Sequence, residues 1–309
     1  MTLRVAIITD DPGWHGARLR RAFEARHGEV RYVSLRDCRI DLQHGCHGLF
    51  IPGFEQRLPD GVFVRGVPGG TLEQVVLRLD VLHALRALGI PVYNDGRAIE
   101  RTVDKGMTSF LLARAGLPTP ATCVTETPDH ARAFLRRETA AGQEVVAKPL
   151  FGSQGVGLRR LVAGMDIPDA SECNGVWYLQ RYVETGPANE GWHDWRVFVI
   201  AGAAVAAMVR RGTSWVNNVA QGARCEAAEL EHELERLAVA ACRAVGADYA
   251  GVDLVRGGDG RLQVLEVNGV PAWKGLQGVT QVDIADCLVD DFVSRRLGDR
   301  PRAAAAASA

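Results

Sequence analysis

One stretch of the chain decides how it folds and what it can bind: residues 144–157, which read EVVAKPLFGSQGVG. The apolar residues before Lys148 predict a strand, and the glycine-rich segment after it predicts a turn whose backbone can approach a ligand closely. The N–H groups of such a turn and the hydroxyl of Ser153 can donate to phosphate oxygens. Taken alone, the stretch favours an ordinary hairpin, because it contains neither a Walker pattern nor a dinucleotide-binding fingerprint.

Lysine usage gives a second indication of phosphate binding. Of the 36 Lys and Arg residues in the chain only three are lysine, namely Lys105, Lys148 and Lys274. An ammonium is a compact point charge that suits close contact with a phosphate, whereas a guanidinium is a planar fork. Chance can explain a lysine on the surface, but it is the weaker explanation for Lys148, which the pattern places inside an apolar strand.

A set of oxygen-bearing side chains lies further along the chain. Asp253 interrupts the apolar run YAGVDLV at residues 249–255, and Glu266 and Asn268 belong to the run LEVN. Because residues two apart on a strand share a face, Glu266 and Asn268 project together. Two carboxylates and an amide are ligands that suit Mg²⁺, which typically shares its coordination shell with substrate phosphates. The alternative is a solvated sheet face, which does not explain the phosphate-type loop in the same chain.

The pattern of elements changes near residue 95. Before that point, predicted strands alternate with helices, the clearest being an amphipathic helix over 71–88 with Thr71 as its N-cap, so we predict an open parallel sheet covered by helices. After it, helices predicted over 104–115, 128–137, 226–245 and 283–296 stand beside strands that we predict to be antiparallel. The fold class is therefore α/β followed by α+β.

Composition excludes several classes of protein. A formal net charge of -1 lacks the basic surface of a nucleic-acid binder, and no apolar run reaches the ~18 residues of a membrane helix. The apolar segment at the N-terminus is too short for a signal peptide, so we expect a cytoplasmic protein with no membrane partner. The seven cysteines are scattered without a Cys-x-x-Cys pair, which indicates a reducing compartment.

One cysteine-containing cluster could in principle bind zinc. It consists of Cys38, His44, Cys46 and His47. Because its spacing fits no common zinc pattern, buried thiols are the favoured interpretation.

Several fragments now follow one another in a fixed order: DK at 104–105, LPTP at 117–120, VAKPLFGSQGVG at 146–157, LQRYV at 179–183, DWR at 194–196, GVD at 251–253 and LEVN at 265–268. In this order the chain resembles the ATP-grasp superfamily and, within it, the RimK-like amino-acid (alpha-L-glutamate) ligases. The resemblance covers about residues 3 to 297. It implies an ATP-grasp fold preceded by a pre-ATP-grasp domain.

The resemblance also implies a role for individual residues. It indicates that Lys105 and Lys148 bind the α- and β-phosphates of ATP, and that a flap over the phosphates contains Gly152, Ser153, Gln154, Gly155 and Gly157. The adenine would be bound by a hinge around Gln180, Arg181 and Tyr182. Asp194 would bind the ribose, and Asn218 would lie beside the nucleotide. For the metal, Mg²⁺ or Mn²⁺, it indicates Asp253, Glu266 and Asn268. Arg196 and Arg211 are the candidates for the γ-phosphate and the acyl phosphate, with an ordinary exposed arginine as the alternative for each.

The chain departs from the family at two places on the acceptor side. Gln221 replaces a basic residue, and the segment after Asn268 reads GVPAWKG, which contains Trp273 and Lys274. An indole offers a flat face to a heterocyclic acceptor, and an ammonium can pair with a second carboxylate. These departures favour a small coenzyme acid, such as a pterin or furan coenzyme, over a ribosomal-protein tail. The alternative is that Trp273 packs under the loop and Lys274 is solvated.

We therefore expect an ATP- and Mg²⁺-dependent ligase that joins an acid to glutamate or another amino acid through an acyl phosphate. The resemblance implies three parts, 1–95, 96–183 and 184–298, followed by a loose tail at 299–309, and we expect a homo-oligomer. A dipeptide ligase and a protein C-terminal glutamate ligase are alternatives with related chemistry. A non-catalytic nucleotide-binding regulator is disfavoured, because the metal ligands and phosphate lysines are all present.

Overall fold

The structure is a computed structural model, which describes residues 2–152, 155–185, 191–217, 219 and 222–297. The chain divides into two compact units. The first unit contains the residues up to Arg97, the short segment Ala272–Lys274 and the residues from Val282 onward. The second unit contains Ala98–Pro271 and Gly275–Gln281. The residues after 281 thus group with the N-terminal part of the chain and not with the predicted part 184–298, whose division from 96–183 stays a prediction.

The elements are numbered here in chain order. The strands are β1 (Leu3–Ile8), β2 (Gly28–Val33), β3 (Arg39–Ile40), β4 (Leu49–Phe50), β5 (Gly61–Val64), β6 (Val92–Tyr93), β7 (Thr122–Thr125), β8 (Val145–Lys148), β9 (Arg159–Leu161), β10 (Trp177–Arg181), β11 (Trp192–Ile200), β12 (Ala203–Gly212), β13 (Arg224–Ala227), β14 (Tyr249–Arg256) and β15 (Leu262–Asn268). The α-helices are α1 (Gly13–Glu24), α2 (Leu72–Ala87), α3 (Gly96–Val103), α4 (Lys105–Arg114), α5 (Pro128–Ala140), α6 (His232–Val245), α7 (Lys274–Gln277) and α8 (Ile284–Asp291).

The first unit is built on the predicted parallel sheet. Its four strands lie in the order β2-β1-β5-β6, and every neighbouring pair runs parallel. The predicted helix with Thr71 as N-cap is confirmed: the Thr71 hydroxyl accepts from the Gln74 N–H, and the Gln74 side chain accepts from the Thr71 N–H. The second half of α2 is the buried part of this helix, since Leu82 and Leu85 are buried whereas Leu72 is 77% exposed.

The last described residues complete the core of the first unit. The ring of Phe292 is fully buried and packs edge-on against Phe23, with centroids 5.5 Å apart, and it also contacts Phe63 and Tyr93. The Tyr93 hydroxyl lies 2.7 Å from a carboxylate oxygen of Asp291. The C-terminal helix is therefore part of the same hydrophobic core as the parallel sheet.

The second unit contains two antiparallel sheets, in agreement with the predicted α+β region. One has the order β7-β10-β8-β9 and is covered by α5, and the other has the order β13-β12-β11-β14-β15 and is covered by α6. The predicted helix over 226–245 starts too early, because residues up to Ala227 form β13, which pairs with β12. The helix begins at His232. Strand pairing here overrides the helix propensity of the local sequence.

The two faces of the five-stranded sheet have opposite characters. Alternate residues such as Val197, Val252 and Val267 point into the apolar core beneath α6. The residues between them point to the other face and include the predicted metal ligands and Arg196. Part of the candidate active site therefore lies on this polar face of the sheet.

Candidate active site

A row of charged side chains crosses three strands of the five-stranded sheet. Arg196 on β11 lies opposite Asp253 on β14, and Asp253 lies opposite Glu266 on β15. Directly opposed residues project to the same face, and Asn268 follows two positions after Glu266. The structure therefore brings together the three predicted metal ligands and one predicted catalytic arginine.

Two arginines hold Asp253. The guanidinium of Arg196 donates to both carboxylate oxygens, with Nε and Nη2 each 2.7 Å away, and Arg210 Nη2 lies 3.0 Å from Oδ2. Burial by itself would raise the pKa of Asp253, but the two guanidiniums outweigh it and keep this pKa below its ordinary value. Asp253 is thus ionised at neutral pH although it is buried.

Asp194 has a different partner from the predicted ribose. Its carboxylate accepts from Arg210, with Nε 2.8 Å from Oδ1, and from the Asn217 amide. Burial raises the pKa of Asp194 above its ordinary value, although Arg210 opposes that shift. The geometry makes Asp194 a residue that orients Arg210, and its predicted ribose contact has no support from this arrangement.

The structure corrects the choice of arginine on β12. Neighbouring strand residues face opposite sides, so Arg210 shares the site's face with Asp194 while Arg211 points away from it. Arg211 instead pairs with Glu226, at 2.9 Å, near the edge of the sheet. Sequence reasoning missed Arg210, although strand alternation relative to Arg196 and Asp194 could have identified it.

The two predicted phosphate lysines border one cavity. This cavity has a volume of about 100 Å³ and is lined by residues that include Lys105, Lys148, Tyr178, Gly155 and Glu266. The Lys105 ammonium donates to the carbonyl of Gly152, 2.7 Å away, at the start of the flap. The flap, both lysines and a predicted metal ligand therefore surround the same space.

Burial lowers the pKa of both lysines. It lowers the pKa of Lys148 to about 8, and the negative charge of Glu266 opposes this shift only in part. Burial also lowers the pKa of Lys105, against the opposing charges of Glu266 and Asp104. A phosphate in the cavity would favour the charged form of both side chains and would raise both pKa values.

A buried hydrogen-bond network positions Lys148. Its ammonium donates to Gln180 Oε1 at 2.7 Å, and Gln180 Nε2 donates to the Tyr178 hydroxyl at 2.9 Å and to Thr122 Oγ1 at 3.1 Å. The Tyr178 hydroxyl also lies 2.8 Å from the hydroxyl of Ser109. Gln180, predicted to belong to the adenine hinge, is therefore an anchor for Lys148, and sequence reasoning missed Tyr178, Thr122 and Ser109.

The adenine hinge at Arg181 and Tyr182 stays a prediction. Both backbone N–H groups already donate to main-chain carbonyls, that of Arg181 to Ala121 and that of Tyr182 to Glu144, each at 2.8 Å. The Tyr182 ring is covered by the guanidinium of Arg160, 4.1 Å from its centroid. An adenine edge would therefore be read by the hinge carbonyls or by an N–H group beyond Tyr182.

The flap needs glycine for conformational reasons. Gly155 and Gly157 have φ values of +71° and +75°, and a Cβ at Gly157 would lie 2.9 Å from the Pro149 ring. Four of the predicted site residues lie outside the described part of the chain, namely Ser153, Gln154, Asn218 and Gln221.

The donors on β14 and β15 fit a magnesium ion. Among the described residues, neither the Glu266 carboxylate nor the side-chain oxygen of Asn268 accepts a hydrogen bond or takes part in an ion pair. The Asn268 amide nitrogen is engaged with the Gly251 carbonyl, at 3.4 Å, which leaves its oxygen for a ligand. Together with Asp253, these are hard oxygen donors of the kind that Mg²⁺ prefers. Glu266 and Asn268 are the open donors, because Asp253 is already held by its arginines.

The segment after β15 differs from its predicted role. Trp273 is fully buried in the first unit, where its ring lies 4.6 Å from that of His15, so it offers no face to an acceptor. Lys274 is exposed. The departure from the family at Gly269 has a steric cause, since a Cβ there would lie 2.4 Å from Thr102 Oγ1 on α3. Packing, and not acceptor recognition, explains Gly269 and Trp273.

Other expectations concern metal and membrane. For the zinc candidate at Cys38, His44, Cys46 and His47, no three His, Cys, Asp or Glu side chains within the described ranges form a group that could hold a metal ion. Burial also raises the pKa of the Cys38 thiol to about 12. The described residues also contain no helix long and apolar enough to cross a membrane.

Comparison with known proteins places the chain in a family. The RimK PreATP-grasp domain matches residues 3–99, and the RimK-like ATP-grasp domain matches residues 102–292. Over 224 residues the chain is 39% identical to the tetrahydromethanopterin:alpha-L-glutamate ligase of Methanocaldococcus jannaschii, which is 70% of this chain and 74% of that one. Over 299 residues it is 29% identical to a probable alpha-L-glutamate ligase of Picosynechococcus sp., with 93% and 94% covered.

Solved structures share the fold. The ATP-grasp ligase PsnB, in complex with a phosphomimetic variant of its minimal precursor, Mg and ADP, superposes with a TM-score of 0.74 at 23% identity, covering 96% of this chain and 99% of that one. With the family matches and the site described above, this similarity confirms the ATP-grasp fold with its N-terminal pre-ATP-grasp domain. The chain belongs to the RimK-like ATP-grasp family, and it is an ATP-dependent carboxylate–amine ligase.

Proposed function

We propose that this ligase adds glutamate to a small coenzyme acid of the pterin class. Two relatives that are 39% and 36% identical are tetrahydromethanopterin:alpha-L-glutamate ligases, from Methanocaldococcus jannaschii and Methanococcus maripaludis. More distant relatives are probable alpha-L-glutamate ligases. The names of all these relatives support glutamate as the amine substrate, and the names of the two more similar ones support a pterin as the acid.

One structural observation carries the catalytic part of the proposal. Two lysines, two arginines and an open carboxylate face the same side of the second unit, around Lys148, Arg196 and Glu266. Such a site can bind the phosphates of ATP and stabilise the negative charge that moves during phosphoryl transfer. Since no nucleophilic side chain is required, positioning and charge account for the activity.

In the proposed reaction, a carboxylate oxygen of the acid attacks the γ-phosphorus of ATP, ADP leaves, and an acyl phosphate forms. The glutamate amine then attacks the acyl carbon, loses a proton and expels phosphate, which leaves an amide. Lys105 and Lys148 would hold the transferring phosphates, and Arg196 keeps Nη1 as a donor because its other nitrogens bind Asp253. When bound at Asp253, Glu266 and Asn268, Mg²⁺ would offset phosphate charge.

The test supplies the purified protein with ATP, Mg²⁺, glutamate and a reduced pterin that carries a side-chain carboxylate. Phosphate release should require the acid and glutamate together, and mass spectrometry should show a product heavier by one glutamate residue. Other amino acids and a peptide with a C-terminal glutamate serve as competing substrates. Preference for the peptide would contradict the proposal, and so would binding of ATP with no phosphate release when the pterin and glutamate are both present.

Three expectations from the sequence stay predictions alongside this proposal. They are the cytoplasmic location, the homo-oligomeric state and the use of Mn²⁺ in place of Mg²⁺. Size measurement in solution and metal replacement in the same assay would test the last two.

A further inference from the structure

The four-stranded sheet of the second unit has an open edge at β7. This strand is the first in the order β7-β10-β8-β9, and within the described part of the chain only β10 pairs with it. The Arg181 N–H donates to the Ala121 carbonyl, and hydrogen-bonded pairs alternate along antiparallel strands, so every second residue of β7 bonds to β10. The N–H and C=O groups of Thr122 and Val124 therefore point away from the sheet.

The β7 strand lacks the features that usually protect a sheet edge from another chain. Its sequence, TCVT, contains no charged residue and no proline, and its register with β10 has no bulge. Natural edge strands commonly carry a lysine, a proline or a bulge, or lie under a helix or loop, because unpaired N–H and C=O groups invite pairing with another strand. Val124 is 41% exposed, so no described element covers β7 at that position.

An apolar groove runs beside this edge, between β7 and α4. It has a volume of about 640 Å³. Its apolar lining residues are Met107, Phe110, Ala113, Pro120, Val124 and Leu150. Phe110 and Met107 are 59% and 43% exposed. A strand that pairs with β7 would also cover these side chains, which is the usual combination when a chain is added to a sheet edge.

The α4 helix runs antiparallel to β7 along the groove. A Cβ on Gly106, in the first turn of α4, would lie 3.3 Å from Val124 Cγ2, so this turn contacts the later half of β7. The last turn of α4 leads through a short connection to Pro120, which precedes β7, and Ala113 and Pro120 line the groove together. The start of α4 therefore lies beside the end of β7, and the end of α4 lies beside the start of β7.

The two ends of the groove differ in charge. Asp104, the N-cap of α4, and Glu126, two residues after Val124, lie at one end. Arg114 lies at the other end and shares a helix face with Phe110, since residues four apart on a helix are neighbours. Glu126 and Arg114 are both exposed, and neither of them forms an ion pair with another residue that the structure describes.

We infer that β7 forms an interface between two copies of this chain, in which the two β7 strands pair antiparallel, edge to edge. The pairing that matches the outward-facing residues within both strands is centred on Cys123, so that Thr122 of each copy lies opposite Val124 of the other. Each such pair exchanges two backbone hydrogen bonds. The acidic end of each groove then meets the basic end of the other, with Glu126 of one copy near Arg114 of the second copy.

The charges favour a second copy over an unrelated chain. One surface supplies both the acidic and the basic end, so two-fold pairing matches these ends twice without any other protein. Like charges stay apart, because the two Glu126 residues would be separated by about 20 Å along the paired strands. A short strand and a small apolar contact make a weak interface, and we expect a dimer with a Kd on the order of 10 µM.

The oligomeric state of the full chain is measured by sedimentation velocity from about 1 to 200 µM under reducing conditions, a range in which the wild type should pass from monomer to dimer. Val124→Pro should stay monomeric, because proline removes an N–H group that faces away from β10 and leaves the sheet's own hydrogen bonds in place. Val124→Thr keeps that N–H group, so it is the matched control and should dimerise like the wild type. Urea unfolding shows whether both variants keep the fold.

Charge reversal tests the arrangement of the two copies on exposed side chains, where the fold is not at risk. Glu126→Arg and Arg114→Glu should each raise the dimer Kd about tenfold, since each turns two favourable pairs into repulsive ones. The double variant restores both pairs with their signs exchanged and should dimerise like the wild type. Glu229→Arg is the matched control, because it is the same change on an exposed residue between β13 and α6.

The Cys123 thiol reports on the centre of the pairing. Opposed residues in a non-hydrogen-bonded pair have Cα atoms about 4.5 Å apart, a separation that a disulfide can bridge. Oxidation with diamide should therefore link two copies through Cys123, and mass spectrometry of the digested dimer should identify the linked peptides. Cys173→Ser, which removes another partly exposed thiol, should still be linked, whereas Cys123→Ser should not.

Four results would overturn the inference. The wild type could remain a monomer up to about 200 µM. Val124→Pro could dimerise as the wild type does, which would place the interface elsewhere. The double charge reversal could dissociate more readily than either single variant, which would separate Glu126 from Arg114 of the second copy. Diamide could link Cys123→Ser as efficiently as the wild type, which would exclude a pairing centred on Cys123.

Discussion

Lys148 is the residue whose charge state should govern nucleotide affinity. Its pKa is lowered to about 8 in the free protein, and a phosphate beside it favours the ammonium, so binding raises this pKa. Below about pH 8 Lys148 is already protonated, whereas at about pH 9 binding must take up a proton and affinity falls. Calorimetry of ADP binding in two buffers of different ionisation enthalpy should detect this uptake.

Lys148→Arg is the control for that measurement, because a guanidinium stays protonated throughout the range. At about pH 9 the variant should take up fewer protons than the wild type when it binds ADP, and any uptake that remains is assigned to Lys105, whose pKa burial also lowers. Equal uptake by the wild type and the variant would assign the titrating group to another residue.

Gln180 should affect phosphate binding through Lys148. Gln180→Met keeps the length of the side chain but removes the acceptor for the ammonium, so ADP affinity should fall about tenfold. Adenosine affinity should change little, since adenosine has no phosphate. Tyr178→Phe, which leaves the Lys148–Gln180 bond intact, should have a smaller effect. A parallel loss of adenosine binding would show that the substitution disturbs the fold instead.

Glu266 supplies the open carboxylate of the metal site. Glu266→Gln keeps the size of the side chain but removes its charge, so turnover should fall by about two orders of magnitude or more while the unfolding curve stays the same. Glu226→Gln is the matched control, because it is the same substitution in the same sheet, on a residue that pairs with Arg211 away from the site. Wild-type turnover in Glu266→Gln would contradict the assignment of Glu266 as a metal ligand.

The sequence predicts some of these residues and not others for a physical reason. Glu266 and Asn268 could be paired from strand alternation alone, and Lys148 stands out as a charge inside an apolar strand. Tyr178 resembles any core aromatic in the sequence, because its role depends on Gln180, two residues away, and on Ser109, which lies on α4. For Trp273 the sequence leaves acceptor contact and packing under the loop as alternatives, because nothing local shows that its segment packs in the first unit.

At the scale of elements, prediction succeeds where local and tertiary preferences agree. The α2 helix has its own N-cap, and β1 ends in the buried apolar run at residues 5–8, so both elements follow from the sequence. The start of α6 does not, because Glu226 and Ala227 have helix propensity but pair with β12. The predicted start of a helix is therefore wrong where its first residues pair with a strand elsewhere in the chain.

The junction after β15 offers an element-scale prediction. Gly269→Ala would place a Cβ 2.4 Å from Thr102 Oγ1, so the Thr102 side chain or the backbone at one of the two residues must shift, and we expect a destabilisation of about 1–3 kcal/mol. Thr102→Ala removes that oxygen and should recover part of the loss in the double variant. Urea unfolding of the three variants measures this coupling, and additive effects would contradict the predicted contact.

At the scale of the whole molecule, the first unit is discontinuous in sequence. Its aromatic core includes Phe292, which comes from the end of the chain. A variant that ends at Gln281 should therefore lose hydrogen-exchange protection in β1 and β5 and keep it in β14. A variant that ends at Leu297 is the control and should match the full chain. Retained hydrogen-exchange protection of β1 in the variant that ends at Gln281 would show that the first unit folds without α8.

The same discontinuity has a consequence for biosynthesis. β1 and β5 leave the ribosome first, but α8 and Phe292, which complete their core, are made last. Synthesis of residues 98–283 takes roughly 10 to 40 s at about 5–20 residues per second. During that time the second unit can obtain all of its residues, while the N-terminal sheet waits with part of its apolar surface uncovered. The nascent chain should therefore finish folding in the reverse of the order in which it is translated, with a need for chaperone protection at its N-terminus.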